Sequence, residues 1–404
     1  MNRIVLPMLV ATLLCGCSGS KNEYQMGTYG YDLAFIRKHN IEVLELSSDD
    51  GLSKVMVIPA WQGRVMTTTS GGDEGDSYGW INYKLIDSGE VSPQFNPVGG
   101  EERFWLGPEG GPFSWYFKKG QEQVHANWVV PAVIDTESYD VEAQDDDRVV
   151  FAKKFSLVNA SDIRFDMGLK RTVRLLDKSE TSQILGTDIP EGLGVIAYCS
   201  ENMLTNCGNA AWTRQTGMPS VWMLGLFNPT PTTTVFIPYN KECGGKIVKD
   251  DYFGKIPSDR LVLDDGMLYF KIDGLCRTKL GLPPGSASGI AASYDSEKSV
   301  LTVLKYMAPS GDAPYVNSQW GEQDDPFDGD VINSYNDGPT EDGTVMGPFY
   351  EIEASSPAAE LAPGESLAHV QYTMHIQGDR NEIDSVVSAL FGVGLDKITR
   401  IFSK

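Results

Sequence analysis

The chain is short of basic charge for its size. Against 55 Asp plus Glu it carries only 33 Lys plus Arg in 404 residues, a formal net charge of −22. A field of that sign repels phosphate backbones, whose binding rests on basic groups releasing counterions, so nucleic acid is excluded as a partner. Histidine is scarce, at four, and no Cys-x-x-Cys occurs, so a structural zinc site lacks its usual ligands. There is no phosphate-binding loop, dinucleotide fingerprint or His-Glu-x-x-His, which removes the function classes those motifs carry. No apolar run reaches the ~20 residues of a membrane-spanning helix. No repeat of fixed period is present, which argues against propellers and solenoids.

What is present points to strands and turns. Hydrophobic residues at 41% suffice for a core, a composition that argues against global disorder. Glycine at 42 and proline at 22 indicate many tight turns. Length alone, at ~150 residues per domain, suggests two or three domains. Strand signals nevertheless run without a polar linker from about residue 41 to 377, which predicts one all-β domain over 25–404. Apolar or alternating runs predict strands at 41–48, 53–59, 148–158, 164–176, 220–227, 233–238, 267–273, 299–307, 348–354 and 367–377. One amphipathic helix is expected at about 380–392. There Ile383, Val386, Val387, Leu390 and Phe391 recur at helical spacing after Asp379 or Asn381, and Gly392 stops them. It is expected to pack on an edge of the sheet.

The N-terminus reads as an export signal. Arg3 precedes an apolar stretch from Ile4 to Leu14, followed by Cys15-Gly16-Cys17-Ser18. The pattern resembles a bacterial lipobox. It implies a signal peptide over 1–16, lipidation of Cys17, a tether over 17–24, and a membrane contact made through the lipid anchor alone. The compartment implied is the outer membrane, facing the periplasm or the cell surface. Cys199, Cys207, Cys243 and Cys276 suit an oxidising compartment, and four cysteines allow three pairings. Cys199 and Cys207 are close enough in sequence to close a local loop.

Candidate chemistry lies among carboxylates, aromatics and the few histidines. Residues 99–112 set Glu102, Arg103, Trp105 and Glu109 between glycines and prolines, on short fixed loops of the kind that carry binding sites. Arginine offers paired hydrogen bonds and Trp an apolar platform with a polar edge, which together suit a polyhydroxylated ring. An Arg–Glu pair above an aromatic core is the plainer alternative. Asp324, Asp325, Asp328 and Asp330 are crowded enough for calcium to be considered, although the spacing is not that of an EF-hand. A solvated acidic loop accounts for them better than calcium does, and no other cofactor is implied. Asn336-Asp337-Gly338 is a turn signature whose amide and carboxylate can also grip hydroxyls. Glu351 and Glu353 share one face of a strand, roughly 6.5–7 Å apart. In the strand 367–377, His369, Gln371, Thr373 and His375 alternate with an apolar face and form a candidate ligand-facing wall. His125, beside Asn127 and Trp128, is a third histidine candidate. These residues suggest Glu351 as general base and His375 or His125 as acid, with Arg103, Glu102, Trp105, Glu109, Asn336 and Asp337 holding substrate.

The runs Trp61–Thr68, Gly99–Gly120, Leu226–Pro229, Asp330–Pro339 and Gly347–His369 resemble an uncharacterised family of bacterial lipoproteins. That family in turn is similar to the galactose mutarotase-like, or aldose epimerase-like, superfamily. The resemblance implies a large antiparallel β-supersandwich with a C-terminal helix and a carbohydrate-facing cleft. It also implies a reaction in which a Glu base and a His acid exchange protons with a sugar. Two function classes follow: an aldose epimerase-like isomerase, and a non-catalytic glycan-binding lipoprotein. A polysaccharide lyase or glycoside hydrolase on the same scaffold ranks below both.

Overall fold

The computed structural model describes residues 24–309, 312–340 and 343–403. The predicted signal peptide and nearly all of the tether, Cys17 included, lie outside the described residues. Among these residues the chain forms a ten-stranded, a five-stranded and a three-stranded antiparallel sheet. The large sheet runs Leu261–Asp264, Met267–Lys271, Thr234–Pro238, Ile290–Asp295, Val300–Tyr306, Ser366–Gln377, Gly194–Asn206, Arg164–Leu176, Arg148–Val158 and Asp140–Gln144. The five-stranded sheet runs Thr278–Leu282, Ile332–Asn336, Tyr350–Ser355, Ser220–Phe227 and Arg103–Gly107. The three-stranded sheet, Leu44–Ser47, Lys54–Ile58 and Arg64–Thr69, joins it through a bridge between Val65 and Glu102.

Period-two alternation accounts for the long strands. In Arg164–Leu176 the residues Phe165, Met167, Leu169 and Val173 turn inward, while Arg164 and Lys170 stay in water. The core between the two larger sheets is built from such inward positions, including Val235, Leu268, Ala291 and Leu304 against Tyr350, Ile352 and Ala354. The five-stranded sheet is different. Arg103–Gly107 and Ser220–Phe227 are buried at every residue. The large sheet covers one face, and the loops carrying Tyr116, Trp128, Tyr252 and Trp320 cover the other.

The C-terminal helix spans Arg380–Phe391, capped by Asp379, whose carboxylate accepts from the Asn381 and Glu382 amides. It lies on the outer face of the large sheet rather than at an edge. Ile383, Val386 and Val387 pack there over Leu301, Met374 and Ile376, each contributing about 1.5–3 kcal/mol by burial. Four further helices, Tyr29–Lys38, Tyr83–Ser88, Lys178–Leu185 and Leu395–Arg400, arise where the sequence pattern indicated none. Among the described residues no helix is long and apolar enough to cross a membrane.

All four cysteines of the described residues stand as free thiols. Cys199 lies within the extended Gly194–Asn206 strand and Cys207 just past its end. Eight extended residues separate them by about 25 Å, so the local loop closure suggested by sequence spacing is ruled out.

Candidate functional site

Alternation along Tyr350–Ser355 sends Tyr350, Ile352 and Ala354 into the core and Glu351, Glu353 and Ser355 to the opposite face. Register sets their neighbours on that face. Glu353 lies between Leu224 and Asn333, Glu351 between Leu226 and Tyr335, and Ser355 beside Trp222. Arg103 is opposite Leu224, Trp105 opposite Trp222, and Lys279 opposite Tyr335. This face therefore brings together charged and aromatic side chains from five strands far apart in sequence.

Above it is a cavity of about 310 Å³, within the size range of small-ligand sites. Glu109, Trp222, Lys279, Asp330, Asn333 and Ser355 line it, and Tyr252, Phe253 and Trp320 complete its walls. Lys279 donates from Nζ to Glu353 Oε2 at 2.8 Å, and Trp222 Nε1 donates to the same oxygen at 2.9 Å. Glu353 Oε1 has no hydrogen-bond partner. The Lys279 ammonium stands 5.0 Å from the Trp222 ring. Burial works against that ammonium, but Glu353, Glu351 and Glu109 hold its pKa above the ordinary lysine range.

Glu109 reaches the cavity from the loop after Arg103–Gly107. Burial pushes its carboxyl up to about 7, with Lys279 opposing and Glu353 reinforcing the shift. Two glycines make room for the walls. A side chain on Gly281 would strike the Asp330 carboxylate, which accepts from the Tyr252 hydroxyl. One on Gly110 would strike the Gln319 carbonyl, so the loops bearing Glu109 and Trp320 pack backbone to backbone.

The other sequence candidates separate into distinct places. Glu351 accepts from Arg103 Nη2 at 3.0 Å, both nearly out of solvent. Burial raises its carboxyl above the usual range, with Arg103 opposing. The Arg103 guanidinium sits 4.2 Å over the Trp105 ring, itself packed on Trp222 and Tyr116. These three residues form the layer beside the cavity. Asn336 instead accepts from the Asp273 and Gly274 amides. Asp337 accepts from Tyr335 Oη and the Gly347 amide. Both hold loops. His125 is exposed on a short turn, stacked 6.0 Å from Trp128.

Glu102 and His375 face the other way, between the sheets. The wall of His369, Gln371, Thr373 and His375 does turn inward, as its alternation indicated, but it is buried. Glu102 accepts from Arg171, Ser200 and Gln371 at 2.8, 3.0 and 2.9 Å. His375 Nε2 pairs with Glu101 Oε1 at 2.9 Å and Nδ1 with Thr302 Oγ1 at 2.9 Å. His375 and Glu351 thus lie on opposite sides of the five-stranded sheet. Neither ring nitrogen of His369 has a partner, and burial pulls its pKa down to about 4. Of the crowded aspartates, Asp330 lies at the cavity with Lys249 Nζ at 3.4 Å, while Asp325 caps the Phe327 amide. Among the described residues no group of three or more His, Cys, Asp or Glu is arranged to hold a metal ion. Lys279 and Trp222 were absent from the sequence candidates. Their strands are buried on both faces and show no alternation to mark a site.

Several solved structures are similar to the chain over most of its length. The Slr1438 protein from Synechocystis sp. PCC 6803 is 14% identical, with a TM-score of 0.50 over 84% of this chain and 96% of that one. A galactose mutarotase-like protein from Lactobacillus casei ATCC 334 is 12% identical, with a TM-score of 0.49 over 83% of this chain and 100% of that one. A protein described as a candidate aldose 1-epimerase from Escherichia coli K12 is 13% identical, with a TM-score of 0.48 over 84% of this chain and 100% of that one. The likeness to the Synechocystis protein is one of fold. No curated protein matches the chain. Residues 27–402 match a family of unknown function, DUF6786, and the chain belongs to that family.

Proposed function

We propose that the cavity over the five-stranded sheet binds a carbohydrate, and that the chain acts on it as an aldose epimerase-like isomerase. The observation that carries this reading is that Glu109 and Lys279 line one aromatic-walled cavity, with Glu353 buried behind the Lys279 ammonium and paired to it. Two carboxyl groups in unlike surroundings can divide acid and base roles. Glu353, buried behind the lining, takes up the proton of the anomeric hydroxyl by way of Lys279, whose Nζ gains that proton as it passes one to Glu353 Oε2. Glu109, about half protonated near pH 7, gives its proton to the ring oxygen. The C1–ring oxygen bond breaks and a carbonyl forms at C1. Rotation about C1–C2 and reclosure return both protons, so the step needs no outside reactant. Glu351 acts as a positioning residue, anchored by Arg103 beside Glu353.

One observation favours a second reading, a glycan-binding protein without catalysis. Glu353 is closed off from solvent and held by both Lys279 and Trp222, which weakens it as a base. Glycan binding followed by anomer exchange separates the two. Exchange accelerated by the protein and abolished by Glu353→Gln supports the isomerase. Binding with unaltered exchange leaves the binding protein. We place either activity outside the cytoplasm, on a membrane-anchored lipoprotein held through Cys17.

A further inference from the structure

Two of the most exposed aromatic rings of the described residues stand at the cavity rim. Trp320 is 36% exposed and Phe253 45% exposed, although buried aromatics surround both. Phe253 packs edge-on to Tyr335 and has the Arg277 guanidinium 3.8 Å from its ring. Its stacking face is therefore partly taken by a cation. Trp320 is held differently. Trp128 stacks behind it at 6.2 Å and Phe117 meets it edge-on at 5.1 Å, leaving the remaining surface of the indole to solvent.

The loop beneath Trp320 is tied down by side chains rather than by an apolar core. Gln123 Oε1 accepts from the Gly111 and Gly321 amides, each at 2.8 Å, linking the Trp320 loop to the loop that carries Glu109. Gln323 Nε2 donates to the Asn317 carbonyl at 3.0 Å and to the Gln319 carbonyl. The Trp320 indole also draws the Glu109 carboxyl toward its ionised form. One ring thus borders the cavity beside Glu109 and keeps part of its apolar surface open to solvent at the rim. A platform held in place before binding loses little freedom when a ligand stacks on it.

A free monosaccharide within the cavity leaves this outer surface uncovered. On the reading of the cavity as a sugar site, we infer that its ligand is the reducing end of an oligosaccharide, with the terminal unit, whose anomeric hydroxyl is free, inside and the next stacked on Trp320. The adjoining surface agrees with a neutral chain. Glu122 and Glu322 flank a broad groove beside the same loop, with Lys118, Gln121 and Gln123 supplying polar groups.

The test titrates the purified protein with glucose, galactose and mannose and with their α1,4- and β1,4-linked di- and trisaccharides, using calorimetry. In a series that binds, the disaccharide is expected to bind roughly tenfold more tightly than its monosaccharide, the worth of one aromatic stacking contact. Trp320→Ala should collapse that ratio toward one, and Trp320→Phe, which keeps a ring, should retain most of it. Equal affinity for the monosaccharide and its longer homologues overturns the inference while leaving the cavity a sugar site. A ratio unchanged in Trp320→Ala overturns the assignment of the platform. Failure of every sugar to bind, at any length, overturns both this inference and the reading beneath it.

Discussion

Replacing Glu109 with Gln removes a carboxyl that resists ionisation in the folded state, and its effect on stability must therefore depend on pH. Burial moves the group from 4.5 to about 7. Below pH 4.5 the carboxyl is protonated whether the chain is folded or not, and the wild type carries no penalty. Between 4.5 and 7 the unfolded chain releases its proton while the folded chain keeps it. Stability then falls by about 1.4 kcal/mol per pH unit. The full interval corresponds to roughly 3 kcal/mol as a ceiling. Glu109 is only partly covered, so solvent screening reduces this to about 1–2 kcal/mol. Glu109→Gln has no such proton to lose. Urea unfolding of both proteins between pH 4.5 and 8.5 should show similar midpoints at the acid end. The variant should gain on the wild type as pH rises and level off above about pH 7.5. Parallel profiles would refute the claim that the site holds Glu109 near neutrality, and with it the acid role given to this residue.

Further outcomes follow from the other buried charges. His375→Ala leaves Glu101 without its imidazole partner between the sheets, which should cost about 3–5 kcal/mol in urea unfolding while sugar affinity measured below the transition stays near wild type. Arg103→Met strands Glu351 and should cost a similar ~3–5 kcal/mol. The double variant with Glu351→Gln should recover most of that loss by the same assay. If the N-terminal reading holds, Cys17→Ser should move the protein from the membrane fraction to the soluble one and abolish incorporation of labelled fatty acid.

The longest strands legible from sequence had water on one side, while Ser220–Phe227, buried throughout, was legible from its continuous apolar run. Arg148–Val158 and Arg164–Leu176 coincide with their predicted runs because each alternates between core and solvent. The C-terminal helix was legible through Ile383, Val386 and Val387 for the same reason. Ile332–Asn336 was not, since Asn333, Ser334 and Asn336 are polar yet buried and satisfied by neighbouring strands and loops. Thr278–Leu282, which supplies Lys279, was missed likewise.

For the site, the pairing of Glu351 and Glu353 on one face could be read from their spacing. Their division of labour could not. It depends on Arg103 engaging one and Lys279 the other, contacts that join strands about 250 and 70 residues apart. The scarcity of histidine drew attention to His375, but a rare ionisable residue is as useful inside a core as at a site. Here it answers Glu101.

The central claim, that Glu353 and Glu109 act on a sugar in the cavity over the five-stranded sheet, is tested most directly by NMR magnetisation exchange between the α and β anomers of a bound aldose. The exchange rate should rise in proportion to wild-type protein and return to the protein-free value with Glu353→Gln, provided that variant still binds the sugar. An exchange rate that high concentrations of wild-type protein leave unchanged would contradict the isomerase account.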